Sequence, residues 1–207
     1  MKKDSTQHII AVDKYEVHEK VGSGAFANVH LCKDKGSGEE WAMKIIDKKN
    51  LDQKWVKQIR DEVAIMQAID HPNVIKCQDF LEDPSYYFIV MQLCNKGDLM
   101  KHMEESKIKN FTEDQALYFL FQIGLGFYEL HKYQIMHRDF KLANLLMHDN
   151  FLLIGDFGLV KKGQEMCKTQ VGTPEYNAPE ILEGKVYTYI VDLWAVGVSF
   201  FYLLFGK

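Results

Sequence analysis

A glycine-rich turn near the amino terminus is the first segment whose residue types could bind a ligand. It lies between two strand-like stretches. Glycines lack a Cβ atom, so backbone N–H groups in such a turn can approach a polyphosphate closely. An ordinary hairpin is the alternative, since Ala27 stands where a GxGxxG motif has its third glycine. The strand-like stretches on both sides of the turn argue against a dinucleotide-binding fold, in which a helix follows the turn. The predicted nucleotide-binding residues of this turn are Val21, Gly22, Ser23, Gly24, Ala25, Phe26, Ala27, Asn28 and Val29.

A lysine and a glutamate could form a second part of the same site. In the strand-like stretch EWAMKII, the two-residue period places Lys44 on the same face as the small residue Ala42. In the helix-like stretch that follows, Glu62 borders the inward apolar stripe, three residues after Ile59. A carboxylate at that border needs a cation, although a single helical glutamate can equally point into solvent. These two stretches alone leave open whether Glu62 pairs with Lys44 or points into solvent.

The elements that carry these residues change in character once, near residues 95–98. Before this point the patterns are strand-like, apart from one helical stretch at 52–69. After it, a capping box at Thr112 and Gln115 opens a long helix that is apolar on most faces and should lie at the centre of a helical region. Two short strands and a fully buried helix over 193–205 follow. The predicted strands are 15–21, 29–33, 39–47, 74–82, 86–93, 145–148 and 151–155.

Three motifs in the second half of the chain identify a family. HRDFKLAN (137–144), DFG (156–158) and APE (178–180) occur in the order typical of protein kinases, and the chain resembles their serine/threonine branch. The resemblance implies an α+β, two-lobed fold: an amino-terminal extension (1–14), a small antiparallel β-sheet lobe with one helix (15–94) and a mainly helical large lobe (95–207). We expect the large lobe to be incomplete, since its last helices are missing. The loop motifs also resemble those of autophagy-initiating and polo-like kinases.

The resemblance implies a role for each motif residue. Asp139 would accept the proton of the substrate hydroxyl, and Lys141 would contact the γ-phosphate. Lys44 would pair with Glu62 and contact the α and β phosphates. Asn144 and Asp156 offer the hard oxygen ligands that Mg²⁺ prefers. The implied cofactors are therefore ATP and Mg²⁺.

The resemblance extends to the adenine site and to regulation. Thr169 lies where many relatives accept an activating phosphate, from another kinase or by autophosphorylation, and Arg138 would bind that phosphate. Thr173 belongs to a stretch that implies serine or threonine acceptors in protein substrates. The residues expected around adenine are Val29, Ala42, Met91, Gln92, Cys94 and Leu146.

Composition excludes several classes of protein. The formal net charge of −4 provides no broad basic field, so we do not expect nucleic acid as a partner. The first residues lack the apolar region of a signal peptide, and the apolar stretch 193–205 is too short to cross a bilayer. We expect a protein of the cytosol or the nucleus, without membrane insertion. Only Arg60 and Arg138 are arginines, so each of these planar cations should have a specific partner.

Three functions remain open on the sequence alone. The first is an active serine/threonine protein kinase, and the second is an inactive scaffold or kinase remnant that binds ATP without turnover. The third is a small-molecule phosphotransferase on a related fold. The segment 173–180 disfavours the third, because a small substrate has no obvious use for it.

Overall fold

The computed structural model describes residues 1–3, 9–23, 27–163 and 166–206. The chain divides into two compact units: Met1–Gln67 with Lys76–Leu93, and Ala68–Ile75 with Cys94–Lys207. Three predicted nucleotide-binding residues, Gly24, Ala25 and Phe26, lie outside the described residues.

A seven-stranded antiparallel sheet forms the framework of the first unit. Its strands are β1 (Lys2–Lys3), β2 (Ile9–Val12), β3 (Tyr15–Ser23), β4 (Ala27–Asp34), β5 (Glu40–Asp47), β6 (Cys77–Glu82) and β7 (Tyr86–Gln92). Their spatial order is β1-β2-β3-β4-β5-β7-β6. The residues before Tyr15, expected as an extension, therefore contribute two strands to one edge of this sheet.

The alternation of side chains in β5 follows the period predicted from the sequence. Met43 and Ile45 are buried on one face, where Trp41 packs beside them. Ala42 and Lys44 lie on the opposite face of the strand. The buried core on the first face consists of Val12, Tyr15, Val17, Cys32, Met43, Ile45, Phe88 and Val90.

One long helix, α1 (Gln53–Ala68), interrupts the strands of the first unit. It begins after Asp52, whose carboxylate accepts a hydrogen bond from the backbone N–H of Trp55 at 2.9 Å and so satisfies a free donor of the first turn. Its buried residues are Ile59, Glu62, Val63, Ile65 and Met66. The predicted apolar stripe consists of Val56, Ile59, Val63 and Met66, and it is buried at all of these positions except Val56, which is partly exposed.

Helices dominate the second unit. They are α2 (Leu99–Glu105), α3 (Glu113–Lys132), α4 (Pro179–Leu182) and α5 (Ile190–Phe205). Its strands are β8 (Ile135–Met136), β9 (Leu145–His148), β10 (Phe151–Ile154) and β11 (Lys161–Lys162), which pair as β9 with β10 and β8 with β11. The predicted capping box of α3 is confirmed, because Thr112 and Gln115 exchange hydrogen bonds between side chain and backbone at 3.0 and 3.3 Å.

Strand β6 is shorter than the sequence predicted. It begins at Cys77, whereas the prediction began at residue 74. Val74 and Ile75 contact Ile154 of the second unit instead: Val74 forms a parallel bridge with Ile154, and the N–H of Ile75 donates to its carbonyl at 2.9 Å. These apolar residues are buried against another strand, which local alternation cannot distinguish from an extension of β6.

The expectation that α5 is fully buried is wrong. Val191, Ala195 and Leu203 are buried, but one face of the helix is exposed, and Trp194 is 50% exposed. Helix α3 is likewise buried on one face only, since Phe121 is 65% exposed. Helices α3 and α5 carry apolar residues on most faces, but each is buried on one face only. No helix among the described residues is long and apolar enough to cross a membrane.

Candidate active site

An ion pair connects strand β5 of the first unit to helix α1. Lys44 of β5 donates from Nζ to Oε1 of Glu62 in α1 at 2.8 Å, as the resemblance to protein kinases implied. The Glu62 side chain is only 7% exposed and that of Lys44 is 23% exposed. Ion pairs shielded from water are screened less than surface pairs, and a buried carboxylate without a cation would be costly. This pair therefore fixes an ammonium group on the face of the sheet that carries α1.

A hydrogen-bonded triangle of three side chains forms the centre of the second unit's polar site. Asp139 accepts at Oδ1 from the Thr173 hydroxyl at 2.7 Å, and at Oδ2 from Lys141 Nζ at 3.1 Å. Lys141 Nζ also donates to Thr173 Oγ1 at 2.8 Å. The Asp139 side chain is 12% exposed. A carboxylate held in this way by two donors is positioned to accept a proton from a hydroxyl group that approaches it.

Two oxygen-bearing residues, Asn144 and Asp156, lie between Lys141 and Thr173 in the sequence. The Asn144 amide donates from Nδ2 to the backbone oxygen of Asp139 at 2.7 Å, so its Oδ1 atom is the one left to accept. The Gly155 N–H donates to the Asn144 carbonyl at 2.9 Å, which brings the residue before Asp156 to the Leu142–Asn144 turn. Asp156 is exposed and has a positive φ of 57°. These two side chains supply the hard oxygen donors that suit Mg²⁺.

A buried carboxylate of α5 holds the loop that carries Asp139. Asp192 is 3% exposed, and its two oxygens accept the backbone N–H groups of His137 at 2.8 Å and Arg138 at 2.9 Å. Burial raises the pKa of the Asp192 carboxyl, and its hydrogen bonds to these N–H groups oppose that rise. No role for Asp192 was predicted from the sequence. Its signal was a lone acidic residue in an otherwise apolar helix, which requires a buried partner.

His137 supports the same loop from the other side. The ring is fully buried, its Nε2 donates to the Gly155 carbonyl at 2.9 Å, and its Nδ1 accepts from the Asp139 N–H at 3.4 Å. Both ring nitrogens are therefore engaged in hydrogen bonds to the backbone. The ring thus links the backbone of Asp139 to the residue that precedes Asp156.

The loop before Thr173 approaches the backbone of Arg138 so closely that position 172 has no room for a side chain. A Cβ atom there would lie 2.4 Å from the Arg138 carbonyl oxygen and 2.7 Å from Oδ1 of Asn177. Gly172 also has a φ of +93°, which residues with a side chain rarely adopt. Glycine at this position allows Thr173 to reach Asp139, a requirement that the sequence analysis did not detect.

The remaining predicted nucleotide-binding residues are placed on strands of the two units. In the first unit, β3 and β4 pair Gly22 with Val29 and Ser23 with Asn28, which positions the two sides of the glycine-rich turn. Val21 belongs to β3 and Ala27 to β4.

The residues predicted around adenine are divided between the units. Ala42 pairs with Met91, and Gln92 ends β7. In the second unit, Leu146 of β9 bridges to Asp98. Cys94 also belongs to the second unit, and burial raises the pKa of its thiol to about 12.

Comparisons with known proteins agree with this geometry. The model of the protein kinase domain family matches residues 15–207. The calcium/calmodulin-dependent protein kinase type 1B of Rattus norvegicus is 39% identical over 99% of this chain, and the chain covers 60% of that relative. The serine/threonine-protein kinase plk-2 of Caenorhabditis elegans is 39% identical over 93% of the chain, which covers 31% of it. The serine/threonine-protein kinase PLK4 of Drosophila virilis is 35% identical over 95% of the chain, which covers 26% of it.

Polo-like kinases, one of the two subfamilies suggested by the loop motifs, are thus among the relatives. Relatives of more than one subfamily have similar identities, and the chain spans between about a quarter and three fifths of their lengths. The match of the family model, which leaves out only the first 14 residues, shows that the chain belongs to the protein kinase domain family.

Proposed function

We propose that this protein transfers the γ-phosphoryl group of ATP to serine or threonine hydroxyls of protein substrates. The observation that carries the proposal is the triangle of Asp139, Lys141 and Thr173, in which a carboxylate, a cation and a hydroxyl group lie within 3.1 Å of one another. The relatives named above as serine/threonine kinases support the choice of acceptor.

Asp139 and Lys141 have complementary roles in this proposal. Asp139 accepts the proton of the substrate hydroxyl, while the hydroxyl oxygen forms a bond to the γ-phosphorus and the bond to the β,γ-bridging oxygen breaks to release ADP. Lys141 neutralises negative charge on the transferred group, since its ammonium already lies 3.1 Å from the carboxylate that acts as the base. The Thr173 hydroxyl orients both groups.

Two further sets of residues hold the nucleotide in the proposed reaction. Lys44, oriented by Glu62, binds the α and β phosphates. Asn144 and Asp156 hold Mg²⁺, which when bound neutralises phosphate charge and lowers the barrier to transfer. The oxygen chemistry of both side chains fits this ion. The residues predicted to bind the nucleotide in the glycine-rich turn and around adenine keep those roles in the proposal.

The segment after Asp156 offers a place for regulation. Thr169 is exposed, and its backbone carbonyl accepts a hydrogen bond from the Tyr187 hydroxyl at 2.7 Å. The Arg138 guanidinium donates to the carbonyls of Leu159 at 2.6 Å and Val160 at 3.4 Å. We propose that phosphorylation of Thr169, by another kinase or by the chain itself, supplies a stronger partner for this guanidinium. The Thr169→Ala variant should then be less active than the unchanged chain phosphorylated at Thr169. Equal activity of these two proteins would refute the switch.

Transfer of labelled phosphate from ATP tests the proposed function. The unchanged chain and its Asp156→Ala variant are incubated with Mg²⁺, labelled ATP and a generic protein substrate, and the labelled residue is identified after hydrolysis. We expect label on serine and threonine with the unchanged chain only. Equal label with both would contradict the role of Asp156. ATP binding by a folded chain without any transfer would favour the alternative, an ATP-binding scaffold.

A further inference from the structure

Arg60 connects helix α1 to the edge of the sheet. Its guanidinium donates from Nη2 to both carboxylate oxygens of Glu82, at 3.3 and 3.2 Å. The same guanidinium lies 5.9 Å from the ring centre of Phe80 and 5.8 Å from that of Tyr87. These two rings are stacked on each other with their centres 5.7 Å apart. One of the two arginines of the chain therefore joins α1 to both β6 and β7.

The position of Arg60 on the helix complements that of Glu62. Successive residues of an α-helix are rotated by about 100°, so the inward stripe formed by Ile59, Val63 and Met66 has Glu62 on one border and Arg60 on the other. Glu62 binds Lys44 of β5, and Arg60 binds Glu82 of β6. Strand β7 lies between β5 and β6 in the sheet. The two ion pairs thus attach α1 to the sheet on both sides of β7.

A second cation strengthens the outer attachment. Lys48 donates to Oε2 of Glu82 at 3.3 Å, and its ammonium lies 4.1 Å from the centre of the Tyr87 ring. The pKa of the Glu82 carboxyl is lowered, first by its hydrogen bond from Lys48 and then by that from Arg60. The carboxylate therefore stays charged at neutral pH. A network of several charges on stacked rings is held more firmly than an isolated surface pair.

We propose that Arg60 is a positioning residue, which keeps α1 from rolling about its axis and so keeps Glu62 within reach of Lys44. This inference rests on the proposed kinase function, because Lys44 binds the phosphates of ATP in that function. When Arg60 is removed, only the Glu62 border of the stripe keeps its ion pair. A roll toward that border withdraws the Glu62 carboxylate from the Lys44 ammonium and leaves the lysine without its orienting partner.

A double-mutant cycle in kcat/KM tests the proposal. Arg60→Ala is measured in the unchanged chain and in a Glu62→Gln background, with ATP as the varied substrate. We expect Arg60→Ala to lower kcat/KM roughly three- to tenfold in the unchanged chain, the range given by one ion pair and one cation–π contact. In the Glu62→Gln background, Arg60→Ala should have no further effect on kcat/KM. Equal effects in both backgrounds, or no effect in either, would overturn the proposal.

Two further variants separate positioning from charge and from general stability. Arg60→Lys retains the charge but loses the planar fork and ring stacking, so it should restore part of the loss. Lys57→Ala removes a cation from an exposed position of the same helix and should leave kcat/KM unchanged. The specific role of Arg60 would be contradicted if Arg60→Lys had the same kcat/KM as Arg60→Ala, or if Lys57→Ala lowered kcat/KM as much as Arg60→Ala.

Amide hydrogen exchange supplies a readout that does not depend on activity. In α1, exchange should be faster in Arg60→Ala than in Lys57→Ala, since the helix has lost the ion pair of Arg60 with Glu82. If the unchanged chain transfers no phosphate, the proposed function fails, while this exchange measurement still tests the attachment. Equal exchange in the two variants would overturn the proposal on its own.

Discussion

Replacement of Asp192 by asparagine should strongly destabilise the second unit. The carboxylate accepts two backbone N–H groups at 2.8 and 2.9 Å in a site that is 3% exposed. An asparagine amide has one accepting oxygen, and its NH₂ group would face the second N–H donor. The variant loses one charge-assisted hydrogen bond and leaves a buried donor unpaired, so the free energy of unfolding should fall by about 2–4 kcal/mol.

Urea unfolding followed by circular dichroism measures this loss, and Ser199→Ala is its matched control. Ser199 lies on the same helix and is fully buried, and its hydroxyl has no hydrogen-bond partner among the described residues. Its removal should therefore change the free energy of unfolding by less than about 1 kcal/mol or stabilise the protein. The Asp192→Asn variant should also transfer phosphate more slowly, since its loop carries Asp139. A loss below about 0.5 kcal/mol would refute the account of Asp192 as the residue that holds this loop.

Two other predictions concern backbone space and thiol chemistry. Gly172→Ala should lower the free energy of unfolding by about 1–3 kcal/mol and reduce phosphate transfer, because position 172 has a positive φ and lies close to the Arg138 carbonyl. Gly124 lies on the exposed side of α3, so Gly124→Ala should raise the free energy of unfolding by about 1 kcal/mol. Equal urea midpoints for the two would contradict this reasoning. Burial raises the pKa of three thiols to about 12, so in the folded protein at pH 7.5 fewer than about one in 10⁴ should be ionised, and iodoacetamide should modify them slowly until urea is added. Mass spectrometry checks this, and rapid alkylation of the folded protein would contradict it. The three thiols are those of Cys32, Cys77 and Cys94.

Features set by nearby residues in the chain were predictable from the sequence. The two-residue period of β5 and the helical period of α1 predicted the faces on which Lys44 and Glu62 lie. The pairing of the two side chains was implied by the resemblance to protein kinases and is present in the structure. The capping box at Thr112 depends on residues three positions apart and was also predictable. Both features arise because strand and helix geometry fixes the direction of a side chain before any tertiary contact forms.

Features set by tertiary contacts were not predictable in this way. The exposed face of α5 follows from what packs against the helix, which an apolar composition does not specify. The role of Asp192 depends on two N–H groups more than 50 residues earlier in the chain. The glycine at position 172 is required by the carbonyl of Arg138, which lies well outside any short sequence window around it. Each of these contacts joins residues that are far apart in the sequence, so a short stretch of sequence does not reveal that they lie close together.

The central claim is that Asp139 acts as the general base of a phosphate transfer to serine or threonine. The most direct test compares the unchanged chain with Asp139→Asn for both ATP affinity and the rate of transfer under single-turnover conditions. We expect a rate lower by roughly 10²–10⁴-fold with similar ATP affinity, since a base acts on the transition state. An unchanged rate in a folded variant that binds ATP normally would contradict the claim.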